Sequence, residues 1–284
     1  MNELKDYLEE LIAGAQEEED RTPDDFIGTD GLLYCGTCRT KKQHKVTIFG
    51  KERIVPVLCA CRAEEREKEL EEIERREKID AIKKAKNACI HDKALINCTF
   101  ENDDGSLPLL ASARKYVETW PKRKENNNGL LLWGDVGTGK SFYAACIANA
   151  LIEEGVSVTM TNFAKILNRL SGLYSEDKNA FIADLMKYSL LILDDFGAER
   201  NTDYALEQIF YVIDERYKTN LPLIVTTNIS LDDLEEPKDL AHQRVYDRLL
   251  SMCTPVFFEG KSHRIKDKDR KYRECSEIFE GGIE

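Results

Sequence analysis

The segment Gly134-Asp135-Val136-Gly137-Thr138-Gly139-Lys140-Ser141 puts glycines, a lysine and a hydroxyl at the spacing of a P-loop. Glycine lets backbone wrap closely around an anion. Successive N–H groups at a helix N-terminus then aim positive dipole at it. In this pattern Lys140 reaches the β- and γ-phosphates of ATP, and the Ser141 hydroxyl ligates Mg²⁺. A glycine turn that merely opens a helix needs neither lysine nor serine in those two places.

Two other apolar runs end in polar residues. Leu190-Leu191-Ile192-Leu193 runs into Asp194 and Asp195. A buried strand would deliver these acids to the carboxyl edge of a sheet. Asp194 is then the Mg²⁺-side carboxylate, acting through water, and Asp195 the group that activates the attacking water. Alone, a strand ending in two aspartates reads as a turn; after a P-loop it reads as the second half of an ATPase site. Leu223-Ile224-Val225-Thr226-Thr227 leads into Asn228, whose amide can bond the γ-phosphate or orient the water.

Cys35-x2-Cys38-x20-Cys59-x1-Cys61 gathers four thiols from the two ends of an expected hairpin, Val46–Ile48 with Ile54–Val57. Four thiolates suit tetrahedral Zn²⁺ in a closed structural site. A hairpin of ~30 residues lacks a core and would need the metal to fold. The alternative is four free thiols. The Cys-x-Cys pair departs from the commoner Cys-x2-Cys, so His44 stands as a substitute ligand. Cys89, Cys98, Cys146, Cys253 and Cys275 have no partner at motif spacing and read as small hydrophobes.

These groups need positioning by alternating elements. Strands are expected at 130–133, 156–160, 190–194 and 223–227, with helices at 140–154, 162–173, 203–219 and 239–251. Continuous apolar strands alternating with helices imply an α/β fold, a parallel sheet covered on both faces. Ahead of it, residues 62–86 carry nine bases and nine acids, which predicts a solvated helical linker. At the start, Leu4, Leu8, Leu11, Ile12 and Ala15 recur at helical spacing. That helix packs on its own protein or docks in a partner's groove; the sequence leaves both readings open.

A chain of 284 residues accommodates one main domain and a smaller appendage. No apolar run reaches the roughly 18 residues that span a bilayer, and no basic-then-apolar leader is seen. A cytoplasmic setting without a membrane partner is the expectation, in which paired cysteines hold metal more often than they form disulfides. The net charge of −12 is uneven, because residues 1–30 hold eleven acids and two bases. Residues 39–62 hold seven bases and one acid, and 261–273 hold seven bases and two acids. Either patch could neutralise nucleic-acid phosphates or be ordinary charged surface.

The succession of P-loop, Asp194-Asp195-Phe196-Gly197, Thr226-Thr227-Asn228 and Arg244-Val245-Tyr246-Asp247-Arg248-Leu249-Leu250 resembles the AAA+ ATPases of the DnaC, DnaI and IstB group over about 90–270. The resemblance implies an AAA+ P-loop NTPase core with a five-stranded parallel sheet in the order 5-1-4-3-2. It further implies a small N-terminal zinc-ribbon-like domain and a helical linker. The corresponding boundaries are an acidic helix and tail at 1–30, a zinc-binding hairpin at 31–62, a linker at 63–90, the ATPase domain at 91–275 and a tail at 276–284.

By the same resemblance, ATP-bridged subunits self-assemble and Arg248 acts as the arginine finger, with Arg244 a weaker candidate. Arg264, in Ser262-His263-Arg264, is the sensor-2-like arginine. On sequence alone all three are surface salt-bridge formers. Single-stranded DNA runs along a helical insertion at 162–187 in the group, which marks Lys165, Arg169, Tyr174 and Lys178. The implied activity is loading a hexameric replicative helicase onto single-stranded DNA, the alternative being an IstB-like transposition helper on duplex DNA. Asp195 stands where wider AAA+ proteins carry glutamate, and a shorter acid predicts slow hydrolysis, stimulated by DNA or partner.

Overall fold

The computed structural model describes residues 21–48, 50–102, 109–198, 202–237, 239–260, 262 and 272. The segment Leu4–Ala15, Arg264, Cys275 and most of the 261–273 basic patch lie outside the described residues. Two compact units divide the chain, residues 1–80 and 81–284.

In the first unit, β1 (Phe26–Ile27) pairs antiparallel with β2 (Leu33–Tyr34). The expected hairpin is β3 (Gln43–Ile48) and β4 (Lys51–Pro56), in register from Gln43–Pro56 to Ile48–Lys51. Gly50, at φ +74°, supplies a left-handed residue in its turn. No residue of either strand is buried, so apolar packing does not hold the hairpin. Helix α1 (Ala60–Cys89) follows and crosses the unit boundary. Its charges pair three or four residues apart, as Arg62–Glu65, Arg66–Glu69 and Arg76–Glu72, and none of its residues is buried.

The second unit takes in the end of α1 and a 3₁₀ turn at Phe100–Asn102, and continues with α2 (Leu110–Glu118), α3 (Trp120–Glu125), β5 (Gly129–Gly134), α4 (Lys140–Glu153) and β6 (Val158–Asn162). Next come α5 (Phe163–Ser171), α6 (Ser175–Met186), β7 (Leu190–Phe196), α7 (Asp203–Thr219) and β8 (Leu223–Thr227). The series closes with α8 (Leu231–Glu235), α9 (Leu240–Met252) and β9 (Cys253–Phe258). The sheet order is β6-β7-β8-β5-β9, parallel throughout. Counted from β5 as the first strand, this is the 5-1-4-3-2 order that the resemblance implies.

Period-2 alternation sorts each strand between two cores. Leu132, Leu190, Ile192 and Ile224 pack with α2 and α4. Leu131, Leu191, Leu193, Leu223 and Val225 pack with α5, α7 and α9. In α4, Ala144, Ala145 and Ala148 are fully buried, and their small size lets the helix lie close to the sheet.

Three departures from the sequence expectation have a local cause. β6 starts at Val158 because Gly155, at φ +79°, makes a turn in which the Val156 N–H bonds Leu151 O. α5 starts at Phe163 because the side chain of Asn162 caps it, accepting the Lys165 N–H. β9 had no counterpart in the strand pattern, since Thr254-Pro255 interrupts its apolar run. Proline is tolerated there because β9, among the described residues, is the last strand of the sheet and pairs with β5 alone.

Candidate functional site

β5 delivers the P-loop to the carboxyl edge of the sheet, and α4 begins at Lys140 directly behind it. Gly134, Gly137 and Gly139 take φ values of +135°, +82° and +94°, where side chains are disfavoured. A Cβ on Gly134 would strike the Phe258 carbonyl of β9, and one on Gly137 the Ser262 side chain. The Thr138 hydroxyl donates to Asp135 O at 2.9 Å and fastens the turn. Val136 sits at its exposed tip. This cradle of bare backbone at a helix N-terminus fits a phosphate chain.

Lys140 is buried, and its ammonium donates to Gly134 O (2.8 Å), Asp135 O (2.7 Å) and Asn228 Oδ1 (2.8 Å). The amide nitrogen of Asn228 donates onward to Asp195 Oδ1 at 3.4 Å. The lysine, asparagine and aspartate expected from three separate segments therefore form one chain of contacts.

Asp194 joins them from the same edge, aligned with Asn162 across β6–β7. Between the pairs Leu193–Val225 and Phe196–Thr227, β7 uses one residue more than β8, forming a bulge at the two acids. Asp195 takes φ +57° there, a left-handed conformation costing about 1 kcal/mol that aspartate accepts better than most residues. Regular alternation would turn consecutive residues to opposite faces. The bulge lets Asp195 reach Asn228 while Asp194 stays on the α4 face with Ile192. Thr226, quoted in the sequence motif without a role, bonds both acids.

Arg248 is not brought to the P-loop among its described contacts. Its Nε donates to Asp214 Oδ1 at 2.6 Å, a second nitrogen donates to Arg244 O at 3.0 Å, and the guanidinium covers the Phe210 ring at 4.7 Å. Asp214 also pairs with Lys218 at 2.8 Å, and Lys218 followed by Arg248 holds its carboxyl below the usual range. Arg244 is exposed on α9. Of the DNA candidates, Lys165 donates to His91 O at 2.7 Å, Tyr174 is exposed, and Lys178 lies 5.6 Å from the Tyr204 ring centroid. In the 39–62 patch, Lys41 pairs with Asp30, Lys42 with Asp25 and Arg62 with Glu65.

In the first unit, the Sγ atoms of Cys35, Cys38, Cys59 and Cys61 all lie within 4.8 Å of one another. Cys61 Sγ is 3.4 Å from Cys59 and 3.7 Å from Cys35. Tetrahedral Zn–S bonds of about 2.3 Å require sulfurs about 3.8 Å apart, so the donor set fits zinc. The Thr40 hydroxyl and the Cys61 N–H pull the Cys38 thiol down to about 5, and the neighbouring sulfurs, Cys59 first, push Cys61 up to about 12. Asp25 braces the first pair by accepting the Gly36 N–H at 3.1 Å. His44 is exposed on β3 and is not in the cluster, so it does not serve as the substitute ligand.

With this geometry in hand, comparison with known proteins places the ATP-binding unit. Residues 68–271 match the family described as IstB-like ATP binding protein. The chain belongs to that family. The replicative helicase loader DnaC of Escherichia coli (strain K12) is 29% identical over 184 residues, 62% of this chain and 73% of that protein. The replicative helicase loader DnaI of Bacillus subtilis (strain 168) is 26% identical over 184 residues, 60% and 59% of the two chains. A crystal structure of the DnaC helicase loader superposes with a TM-score of 0.51 at 25% identity, covering 59% of this chain and 100% of that one. The matched span of this IstB-like protein starts inside α1, so the four-cysteine cluster lies outside it. Among the described residues, no helix is long and apolar enough to cross a membrane.

Proposed function

We propose that the chain is a nucleotide-switched loader that places a hexameric replicative helicase on single-stranded DNA. The observation that carries this reading is the convergence of Lys140, Asn228, Asp195 and Asp194 at one sheet edge, in a chain whose relatives are named helicase loaders. Gly134 to Ser141 wrap the phosphates, and Lys140 turns its ammonium from loop carbonyls toward them. Ser141 and Asp194 hold Mg²⁺, Asp195 activates water and Asn228 orients it. Slow hydrolysis acts as a release switch. Arg248 and the sensor-2-like Arg264 complete the site in an assembly bridged by ATP.

In the same reading the tail and helix at 1–30 and the zinc-bearing hairpin at 31–62 engage the helicase. The linker at 63–90 joins them to the ATPase domain at 91–275, ahead of the tail at 276–284. Zn²⁺ on Cys35, Cys38, Cys59 and Cys61 is structural, and the protein works in the cytoplasm. Lys165, Arg169, Tyr174 and Lys178 take the single strand. A second reading, an IstB-like transposition helper on duplex DNA, draws on the IstB-like description of the matched family.

The test is size-exclusion chromatography with light scattering of the full chain mixed with its host's hexameric helicase, in ATP and in ADP, beside Lys140→Ala. The expected result is a stoichiometric complex that depends on residues 1–61 and whose DNA loading needs Lys140. No complex in any nucleotide state overturns the loader reading in favour of duplex DNA.

A further inference from the structure

The Thr226 hydroxyl sits between the two acids of the nucleotide site. Its Oγ1 accepts the Asp195 N–H at 2.8 Å and donates to Asp194 Oδ1 at 2.6 Å. The side chain is buried, 1% exposed, on the α4 face of β8. A hydroxyl has one proton to give. Because the oxygen takes the amide hydrogen of Asp195, its own proton is directed onto Asp194.

The bulge explains why a side chain is needed at this point. Between Leu193–Val225 and Phe196–Thr227 the ladder loses its regular pairing, and in a bulge the extra residue's N–H faces no ladder carbonyl. Without a partner at this part-buried position, the Asp195 N–H would lose its hydrogen bond. Thr226 supplies the missing acceptor within the sheet and stabilises the left-handed Asp195 backbone, φ +57°. Its neighbour Thr227 fixes the next step, donating to Phe196 O at 2.8 Å. Thr226 thus sets the direction of Asp194 through its carboxylate and of Asp195 through its backbone.

We propose that Thr226 is a positioning residue for this site, holding Asp194 in one rotamer toward Mg²⁺ and Asp195 in the conformation that meets Asn228. The inference rests on the ATP-hydrolysing reading above and adds a residue to it. Valine has the shape of threonine without its hydroxyl, and serine keeps the hydroxyl without the methyl. The two substitutions therefore separate hydrogen bonding from packing.

The experiment uses the full chain as wild type, Thr226→Val, Thr226→Ser, and Lys140→Ala as a binding-deficient control. Fluorescent ATP affinity is measured in EDTA and across a Mg²⁺ titration, together with steady-state hydrolysis and thermal unfolding. For Thr226→Val we expect Mg²⁺-free affinity within about twofold of wild type. We expect a weaker Mg²⁺ enhancement of binding and turnover reduced about 10- to 100-fold, the range seen when the partner that orients a metal ligand is removed. Thr226→Ser is expected to return most of the Mg²⁺ response and turnover.

A Thr226→Val protein with an unchanged Mg²⁺ midpoint and turnover overturns the proposal. So does a Thr226→Ser protein as impaired as Thr226→Val, because packing rather than the hydroxyl would then carry the effect. If wild type hydrolyses ATP no faster than Lys140→Ala, the hydrolysis reading fails separately. Thr226 is then judged on Mg²⁺-coupled binding alone, where full coupling in Thr226→Val overturns it.

Discussion

Replacing one of Cys35, Cys38, Cys59 and Cys61 tests whether the proposed zinc holds the first unit. Among its described residues the buried apolar groups are sparse: Leu32 and Leu33, with Cys35 and Cys59. Two buried leucines contribute roughly 3–6 kcal/mol at about 1.5–3 kcal/mol each. A structural four-thiolate zinc contributes about 10–16 kcal/mol at neutral pH. The metal term therefore exceeds the local core, and its loss exceeds what the β3–β4 hairpin can absorb, since none of its residues is buried.

Cys59→Ser should consequently yield full-length protein with less than about a tenth of the wild-type zinc and loss of amide protection across 43–56. The ATP-binding unit carries two apolar cores of its own, so nucleotide affinity should remain within about twofold. The assay is elemental analysis of the purified protein alongside hydrogen exchange read by mass spectrometry. Wild type that contains no zinc, or metal-free protein that keeps protection at 43–56, refutes the reasoning.

Three further outcomes follow from the ATP-binding unit. The Arg216 guanidinium, fully buried, donates to the carbonyls of Tyr188, Ser189 and Pro222 and so ties the starts of β7 and β8; burial pulls it down to about 10, which leaves it charged at neutral pH. Arg216→Met strands those carbonyls at a cost of about 3–5 kcal/mol and should lower Tm by ~10 °C in a thermal melt; a drop below about 3 °C would contradict the clamp. Asp195→Asn tolerates the left-handed backbone, so ATP binding should persist while hydrolysis falls about 100-fold; equal losses in both would indicate a damaged loop instead. Asp214, held below the usual carboxyl range by Lys218 and then Arg248, stabilises the fold above pH ~3.9 and loses that contribution as pH falls through its folded value. Acid unfolding of Asp214→Asn should show a shallower pH dependence than wild type in that window, and identical curves would remove the ion pair from the account.

Much of the ATP-binding core is legible in the chain itself, because its signals are local. The P-loop needs eight consecutive residues, and a buried parallel strand shows as an unbroken apolar run, as in Leu190–Leu193 and Leu223–Val225. The charge alternation of α1 is equally local. β9 escaped because strand identity at a sheet edge comes from its pairing with β5, while Pro255 and Thr254 mask the pattern.

The sequence by itself picked out the candidate residues: Lys140, Asp194, Asp195, Asn228 and four cysteines at metal spacing. Tertiary structure alone decided how they meet. The bulge that turns Asp195 left-handed, the Thr226 hydroxyl linking both acids, and the Arg248–Asp214 pair each join residues more than 30 positions apart. The burial of Arg216 likewise comes only from the tertiary structure, through the carbonyls of Tyr188, Ser189 and Pro222. Hydrophobic periodicity reports which face of an element is covered; which hydrogen-bonding groups face one another is set only when the strands take their register.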